Sequence, residues 1–151
     1  MTYRSMDHLN LRKATANDSD LAYDIKKAAF REYVERLWGW KEEEQRQLHQ
    51  RRYNAQSFRM IQVSGLDVGL LATVRESDCI NVKQLFILPE HQGKGIGKSC
   101  MLEVIKEVSG LSLPIRLQVL KINTGAHAFF RRLGFEEIGE TDTHKLMERP
   151  S

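Results

Sequence analysis

A glycine-rich segment that directly follows a short apolar run constrains the fold of this chain more than any other feature of its sequence. Residues 85–88 are all apolar, which is typical of a strand that is covered on both faces. Pro89 ends this strand because proline has no N–H to donate to a neighbouring strand. Three glycines follow within residues 93–97, and from Ile96 onwards the apolar residues recur with helical spacing. The segment therefore predicts a buried strand, a tight turn and the start of a helix.

The turn between this strand and this helix has the features of an anion-binding site. Glycine lets the backbone approach a ligand with no side chain in the way. The first N–H groups of a helix have no partner within the helix and lie at the positive end of its dipole. Lys94 and Lys98 add positive charge. We therefore expect a phosphate or pyrophosphate to bind on this turn.

Two common phosphate-binding motifs do not fit the turn. A P-loop requires a glycine at the position of Gln92. The dinucleotide-binding fingerprint requires a third glycine at the position of Lys98. Phosphoryl transfer on a P-loop is therefore disfavoured.

A third glycine-rich motif does fit the turn. Residues 92–97 read Gln-Gly-Lys-Gly-Ile-Gly and match the Q/R-x-x-G-x-G/A signature of the GNAT superfamily of acyl-CoA-dependent N-acetyltransferases. The segment from Asn123 to Phe135 resembles the second signature of that family, in which Asn, Ala and a terminal Gly-Phe are spaced along a helix. The C-terminal half of the chain thus resembles GNAT enzymes in two motifs that stand in the family order.

The resemblance implies an α+β fold in three layers, α/β/α. Its centre would be a mixed sheet of about seven strands with a splayed central strand pair, and four helices would cover the sheet. Apolar spacing along the chain predicts the same order of elements. The expected strands cover residues 9–14, 57–64, 68–75, 80–88, 114–119, 135–140 and 143–148. The expected helices cover residues 21–37, with a bend or break near Phe30, and residues 41–52, 96–108 and 124–133.

The resemblance also implies that acetyl-CoA or coenzyme A is the co-substrate. In the family its pantetheine arm lies between the splayed strands and its pyrophosphate lies on the glycine-rich turn. The residues carried over to this chain are Leu85, Phe86, Ile87, Gln92, Gly93, Lys94, Gly95, Ile96, Gly97, Lys98, Asn123 and Phe130. The backbone N–H of Ile87 is the expected donor to the oxyanion that forms when an amine attacks the thioester.

The reaction that the resemblance implies is direct transfer of the acetyl group to a primary amine of a small molecule or a peptide. The sequence departs from the family at two catalytic positions. Phe130 replaces a tyrosine that protonates the thiolate in many members, and Gln118 replaces a glutamate base found in some. A CoA-binding module or sensor without turnover is therefore the alternative function.

Without the usual glutamate, a substitute base, a water chain or an acceptor amine of low pKa has to account for the proton that the amine loses. The candidates for a substitute base are Tyr33, Glu43 and His144. In this family the end of the first helix and the neighbour of the last strand border the acceptor cleft, and Glu43 is close in sequence to the two tryptophans. Trp38 and Trp40 flank Gly39 at a predicted break between two helices and are difficult to bury completely. We expect these two tryptophans to form walls of the acceptor site.

The composition indicates a globular chain with one domain over residues 1–151. Hydrophobic residues make up 41% and charged residues 28% of the chain. A net charge of +3 is too small to predict nucleic-acid binding. No segment is long and apolar enough to span a membrane, and residues 1–10 contain no apolar leader.

The two cysteines, Cys79 and Cys100, belong to no C-x-x-C pair and to no metal-ligand spacing. We therefore expect no bound metal and a reducing, cytoplasmic location. A two-fold homodimer is the default expectation for the oligomeric state.

Overall fold

The computed structural model describes residues 8–151, and these contain seven strands and four helices. In chain order the elements are β1 (Leu9–Lys13), α1 (Ser19–Leu37), α2 (Glu42–Ala55), β2 (Ser57–Val63), β3 (Leu66–Arg75), β4 (Ile80–Ile87), α3 (Ile96–Ser109), β5 (Ile115–Leu120), α4 (Thr124–Arg132), β6 (Glu136–Glu140) and β7 (His144–Arg149). The prediction of seven strands and four helices is confirmed. The prediction about a leader within residues 1–10 falls mostly outside the described residues.

One mixed sheet runs through the molecule in the strand order β1-β2-β3-β4-β5-β7-β6. All neighbouring strands are antiparallel except β4 and β5, which are parallel. The connection between these two strands passes through α3, as a parallel pair requires. The predicted mixed sheet is thereby confirmed.

The helices cover both faces of the sheet and produce the three predicted layers. On one face Ala22 and Ile25 of α1 pack against strand residues that include Met60 and Leu70. On the other face the apolar stripe of α3 joins the larger core cluster together with Phe130 of α4. None of the four helices within residues 8–151 is apolar over a length that would cross a bilayer.

Helix α1 follows an acidic residue and runs without interruption. Asp18 precedes the helix, accepts a hydrogen bond from the Thr15 N–H (2.7 Å) and forms an ion pair with Arg12 (2.7 Å). The predicted break near Phe30 is absent, since α1 is continuous from Ser19 to Leu37. The apolar positions shift at Phe30 because this ring packs against Phe86 of β4, with 5.0 Å between ring centroids.

The parallel pair β4 and β5 separates after a short paired stretch. Only three residue pairs form, from Ile80–Ile115 to Val82–Leu117. Beyond Val82, β4 continues to Ile87 along its other neighbour, β3. This separation is the predicted splayed strand pair, and it leaves a gap in the middle of the sheet.

Gly69 holds the remaining half of β4 close to β3. A Cβ at this position would lie 2.5 Å from the Phe86 carbonyl oxygen and 2.9 Å from Ile87 Cδ1. We expect Gly69→Ala to lower the free energy of unfolding by about 1–3 kcal/mol, because overpacking forces the two strands apart. The midpoint of urea denaturation measures this change.

Gly110 provides the matched control, because its backbone has φ −79° and a Cβ there would meet no atom within 4 Å. Gly110→Ala should leave the protein as stable as before or stabilise it by up to about 1 kcal/mol. Equal stability of the two variants would contradict the tight packing at Gly69.

Candidate functional site

Two adjoining cavities occupy the gap between β4 and β5. The turn-side cavity, of about 840 Å³, is lined by residues of α1, β4, the glycine-rich turn and α4. The inner cavity, of about 420 Å³, is lined by residues of α1, α2, β4, β5, α4 and β7. Both cavities are lined by Phe30, Leu85, Phe86, Asn123, Ala126 and Phe130. Together they form one cleft that crosses the sheet at the split.

The glycine-rich turn forms one end of the turn-side cavity. Gly93 and Gly95 have φ values of +76° and +83°, which glycine adopts without strain. The first bond of α3 runs from the Ser99 N–H to the Gly95 carbonyl (3.0 Å), so the N–H groups of Ile96 and Gly97 lie before it, at the positive end of the helix dipole. The turn therefore has the backbone geometry that the predicted anion site requires, and anion binding stays a prediction.

The side chains of this turn have separate positions. Gln92 Nε2 donates a hydrogen bond to the Ile87 carbonyl (2.9 Å) and thereby ties the turn to the end of β4. Lys98 lines the turn-side cavity. Lys94 is exposed and does not line either cavity.

The half of β4 that has no pairing with β5 presents backbone groups to the gap. Leu88 N–H donates to the Val68 carbonyl (2.9 Å), which fixes the antiparallel alternation between β3 and β4. Phe86 therefore bonds to β3, whereas the N–H groups of Leu85 and Ile87 point to the side from which β5 has separated. This orientation suits the expected role of the Ile87 N–H as an oxyanion donor.

Asn123 and Phe130 of the second motif meet at the junction of the two cavities. Asn123 Oδ1 accepts a hydrogen bond from the Ala126 N–H (3.1 Å) and caps α4. Phe130 packs edgewise on Phe129 and Phe135, with ring centroids 5.0 and 5.4 Å away. Its hydrocarbon ring stands at this junction without a proton donor.

The three catalytic candidates lie in different places. His144 lines the inner cavity, its Nδ1 lies 2.8 Å from Thr143 Oγ1, and burial lowers its pKa. Tyr33 lines the turn-side cavity. Glu43 is exposed on α2, accepts a hydrogen bond from Gln47 Nε2 (3.2 Å) and lines neither cavity.

The two tryptophans lie outside the lining of both cavities. Trp38 follows α1 with 54% of its surface exposed. Trp40 packs against Tyr23 with ring centroids 6.3 Å apart, and its Nε1 donates to Glu42 Oε2 (2.7 Å). The geometry therefore gives Trp40 a packing role where α2 begins, and the predicted acceptor wall stays a prediction.

Several polar residues that the sequence did not identify line the inner cavity, among them Lys26, Arg52 and Gln84. Lys26 is only 3% exposed. One sequence signal could have identified it, because Lys26 lies four residues after Ala22 and therefore on the apolar face of α1. A cation at such a position indicates either a buried charge or a wet cleft.

One group of possible metal ligands lies outside the cleft. Within residues 8–151, Glu76, Asp78 and Cys79 each offer a ligand atom within 4.8 Å of the others. Glu76 already accepts a hydrogen bond from Asn81 Nδ2 (3.3 Å), and Asp78 forms an ion pair with Arg116 (3.3 Å). Burial and the neighbouring carboxylates raise the pKa of Cys79, which favours the thiol over the thiolate.

Comparisons with solved structures show the fold. The structure of PaiA N-acetyltransferase from Thermoplasma acidophilum in complex with coenzyme A aligns with a TM-score of 0.78 and 17% identity, over 95% of this chain and 99% of that one. The ribosomal-protein-S18-alanine N-acetyltransferase of Escherichia coli aligns with a TM-score of 0.74 and 18% identity, over 94% and 93%. A GNAT family acetyltransferase from Elizabethkingia anophelis with acetyl-CoA bound aligns with a TM-score of 0.72 and 14% identity, over 96% and 99%.

A family model supplies the comparison at the level of sequence, since no sequence of the curated proteins matches this chain. The model of the acetyltransferase (GNAT) family matches residues 19–135, from the start of α1 to the end of the second motif. The match covers more than half of the chain and includes both ends of the cleft. The protein therefore belongs to the acetyltransferase (GNAT) family.

Proposed function

We propose that this protein transfers the acetyl group of acetyl-CoA directly to a primary amine of a small molecule or a peptide. The observation that carries the proposal is the continuous cleft at the β4–β5 split. The start of α3 lies at one end of this cleft, and the N–H groups of Leu85 and Ile87 point into the gap. The solved relatives with coenzyme A or acetyl-CoA bound support the proposal.

In this proposal the turn-side cavity binds the cofactor arm. The N–H groups of residues 93–97 and the dipole of α3 hold the pyrophosphate. Leu85 offers its backbone groups to an amide of pantetheine, in the manner of an added strand. Asn123 contacts the arm through its amide NH₂, since its Oδ1 is engaged as the cap of α4.

The chemical step joins the amine nitrogen to the thioester carbonyl carbon and breaks the bond from that carbon to sulfur. A backbone N–H aimed at the carbonyl oxygen stabilises the developing oxyanion, and one such donor contributes about 3–4 kcal/mol. Ile87 is the proposed donor. The thiolate leaves without an acid at Phe130, because a thiol pKa of about 8.5 makes it a good leaving group.

His144 is the residue that we propose as the general base. The inner cavity buries this imidazole enough to lower its pKa, so it is neutral at pH 7 and able to accept the proton that the amine loses. A lysine-like amine needs about 4–5 kcal/mol to be neutral at pH 7, whereas an α-amino group needs only about 1–1.5 kcal/mol. A base is therefore most useful for the first kind of acceptor.

Direct transfer is the mechanism that the cysteines favour. Neither Cys79 nor Cys100 lines the cleft, and both are buried. Burial raises the pKa of Cys100 to about 12. Neither thiol is thus available as a thiolate nucleophile for a covalent acyl-enzyme.

A CoA-binding module without turnover is the second candidate. Phe130 at the junction of the cavities, and Gln118 in the inner cavity, cannot supply proton chemistry. Release of free thiol from acetyl-CoA with a panel of amines separates the two functions. Coenzyme A binding with no turnover of any amine would favour the module.

We expect Gly95→Asp to weaken coenzyme A binding at least about tenfold, as measured by calorimetry. The new carboxylate would repel the pyrophosphate, and its residue would have to adopt the φ of +83° found at Gly95.

Gly110→Asp is the matched control for this prediction, because it places the same side chain at the other end of α3. It should leave coenzyme A affinity unchanged. Retained affinity in Gly95→Asp would contradict the assignment of the turn.

We expect His144→Gln to lower kcat by roughly 10²-fold or more, as for the loss of a general base. Because burial lowers the pKa of His144, the acidic limb of the wild-type pH profile should have its midpoint below about 6.5. The variant should lack this limb and keep the coenzyme A affinity of the wild type.

His127→Gln serves as the control, because His127 pairs with Glu137 (2.6 Å) and does not line the cleft. It should keep the wild-type kcat and pH profile. A His144→Gln variant with the wild-type profile would remove His144 from the mechanism.

A further inference from the structure

Two basic side chains from different helices face the inner cavity. Lys26 comes from α1 and Arg52 from α2. Lys26 is 3% exposed, and Arg52 is half-buried. Their meeting at one cavity is a consequence of how α1 and α2 pack on the same face of the sheet.

No acid of the described chain neutralises these two cations. Burial, followed by the charge of Arg52, lowers the pKa of Lys26 to about 8. Burial, followed by the charge of Arg51, lowers the pKa of Arg52. A buried cation is costly unless an anion lies beside it, and among residues 8–151 no carboxylate fills this place.

The rest of the inner cavity wall, as far as residues 8–151 form it, carries positive charge and no negative charge. Its lining residues within the described chain include no Asp or Glu, and Lys83 adds a third basic residue. Gln84 Nε2 donates to Gln56 Oε1 (2.9 Å), whereas the buried Gln84 Oε1 has no donor. The wall thus combines positive charge with a buried acceptor that lacks a hydrogen bond.

We infer that the acceptor of this enzyme is a small amine that carries an anionic group, a carboxylate or a phosphate, and that Lys26 and Arg52 bind this group in the inner cavity. The inference rests on the proposed function, since it names the acceptor class of the same cleft. The pyrophosphate of coenzyme A is assigned to the helix start at the other end. A polyamine would bring its additional positive charges against Lys26 and Arg52.

The test uses acceptors that differ only in the charge of their tail. One set is 4-aminobutanoate, butylamine and 1,4-diaminobutane, and a second set is 2-aminoethyl phosphate and ethanolamine. Two measurements are made on the full chain: thiol release from acetyl-CoA, and calorimetric binding of each amine to the protein saturated with coenzyme A. We expect one anionic amine to exceed its neutral partner at least about tenfold in kcat/KM and in affinity. A preference for the anionic amine in the first set would identify the anionic group as a carboxylate, and a preference in the second set would identify it as a phosphate.

Lys26→Met and Arg52→Met should lower the kcat/KM and the affinity of the anionic amine towards the values of its neutral partner. Coenzyme A affinity should stay unchanged. Lys26→Met should also raise Tm at pH 7, because the folded protein holds this lysine at a pKa below its unfolded value. Below pH 8 the native state therefore bears the cost of the buried charge. A side chain with only a packing role would lower Tm when replaced.

Lys27→Met is the matched control on the same helix, since Lys27 pairs with Glu42 (2.9 Å) and does not line the inner cavity. It should keep the wild-type order of acceptors and should not raise Tm. A shift in acceptor preference with Lys27→Met would indicate a general charge effect and would contradict the assigned pair.

The outcomes separate the inference from the function on which it rests. Turnover with neutral amines or the diamine equal to or better than with both anionic amines would overturn the inference and keep the acetyltransferase. An anionic preference that survives in both Lys26→Met and Arg52→Met would also overturn it. With no turnover of any amine, the calorimetric comparison of charged and neutral tails still decides the inference, and the proposed activity fails separately.

Discussion

The early end of the pairing between β4 and β5 is the constraint on which the site depends. The two strands share only three residue pairs, and every later backbone group of β4 on that side must find another partner. A gap in a sheet is costly in a folded protein, because unpaired N–H and C=O groups lose water on burial. Helices α1 and α3 cover opposite faces of the sheet, and the ligand groups proposed above would complete the hydrogen bonds.

Local features of this fold could be predicted from the sequence. The apolar run 85–88, Pro89 and the glycines each act on their own backbone, so the strand, the turn and the start of α3 could be predicted from neighbouring residues. The stripe from Ile96 to Val108 likewise follows from helical spacing and is buried as expected. The continuity of α1 through Phe30 could not be predicted from apolar spacing, because the ring that Phe30 packs against, Phe86, lies in a distant strand.

The residues that sequence reasoning missed are those whose role arises only in the folded state. Lys26 and Arg52 lie on separate helices, and no spacing in the sequence brings them to one cavity. Burial lowers the pKa of Lys26 from 10.5 to about 8. This shift corresponds to a free-energy cost of roughly 3 kcal/mol for keeping the lysine protonated in the folded protein. Such a cost is typical of functional positions, where a residue that binds a ligand lowers the stability of the folded protein.

The hydrogen bond from Gln92 to the Ile87 carbonyl also affects how the protein behaves among copies of itself. A strand that has lost its neighbour exposes an edge on which a foreign strand can pair, and such edges promote aggregation. Because Gln92 hydrogen-bonds to the Ile87 carbonyl at the end of this edge and Pro89 follows two residues later, another strand could pair over only a few residues before the chain turns away. The Gln92 side chain, which ties the turn to β4, therefore also limits the pairing of β4 with a strand of another molecule.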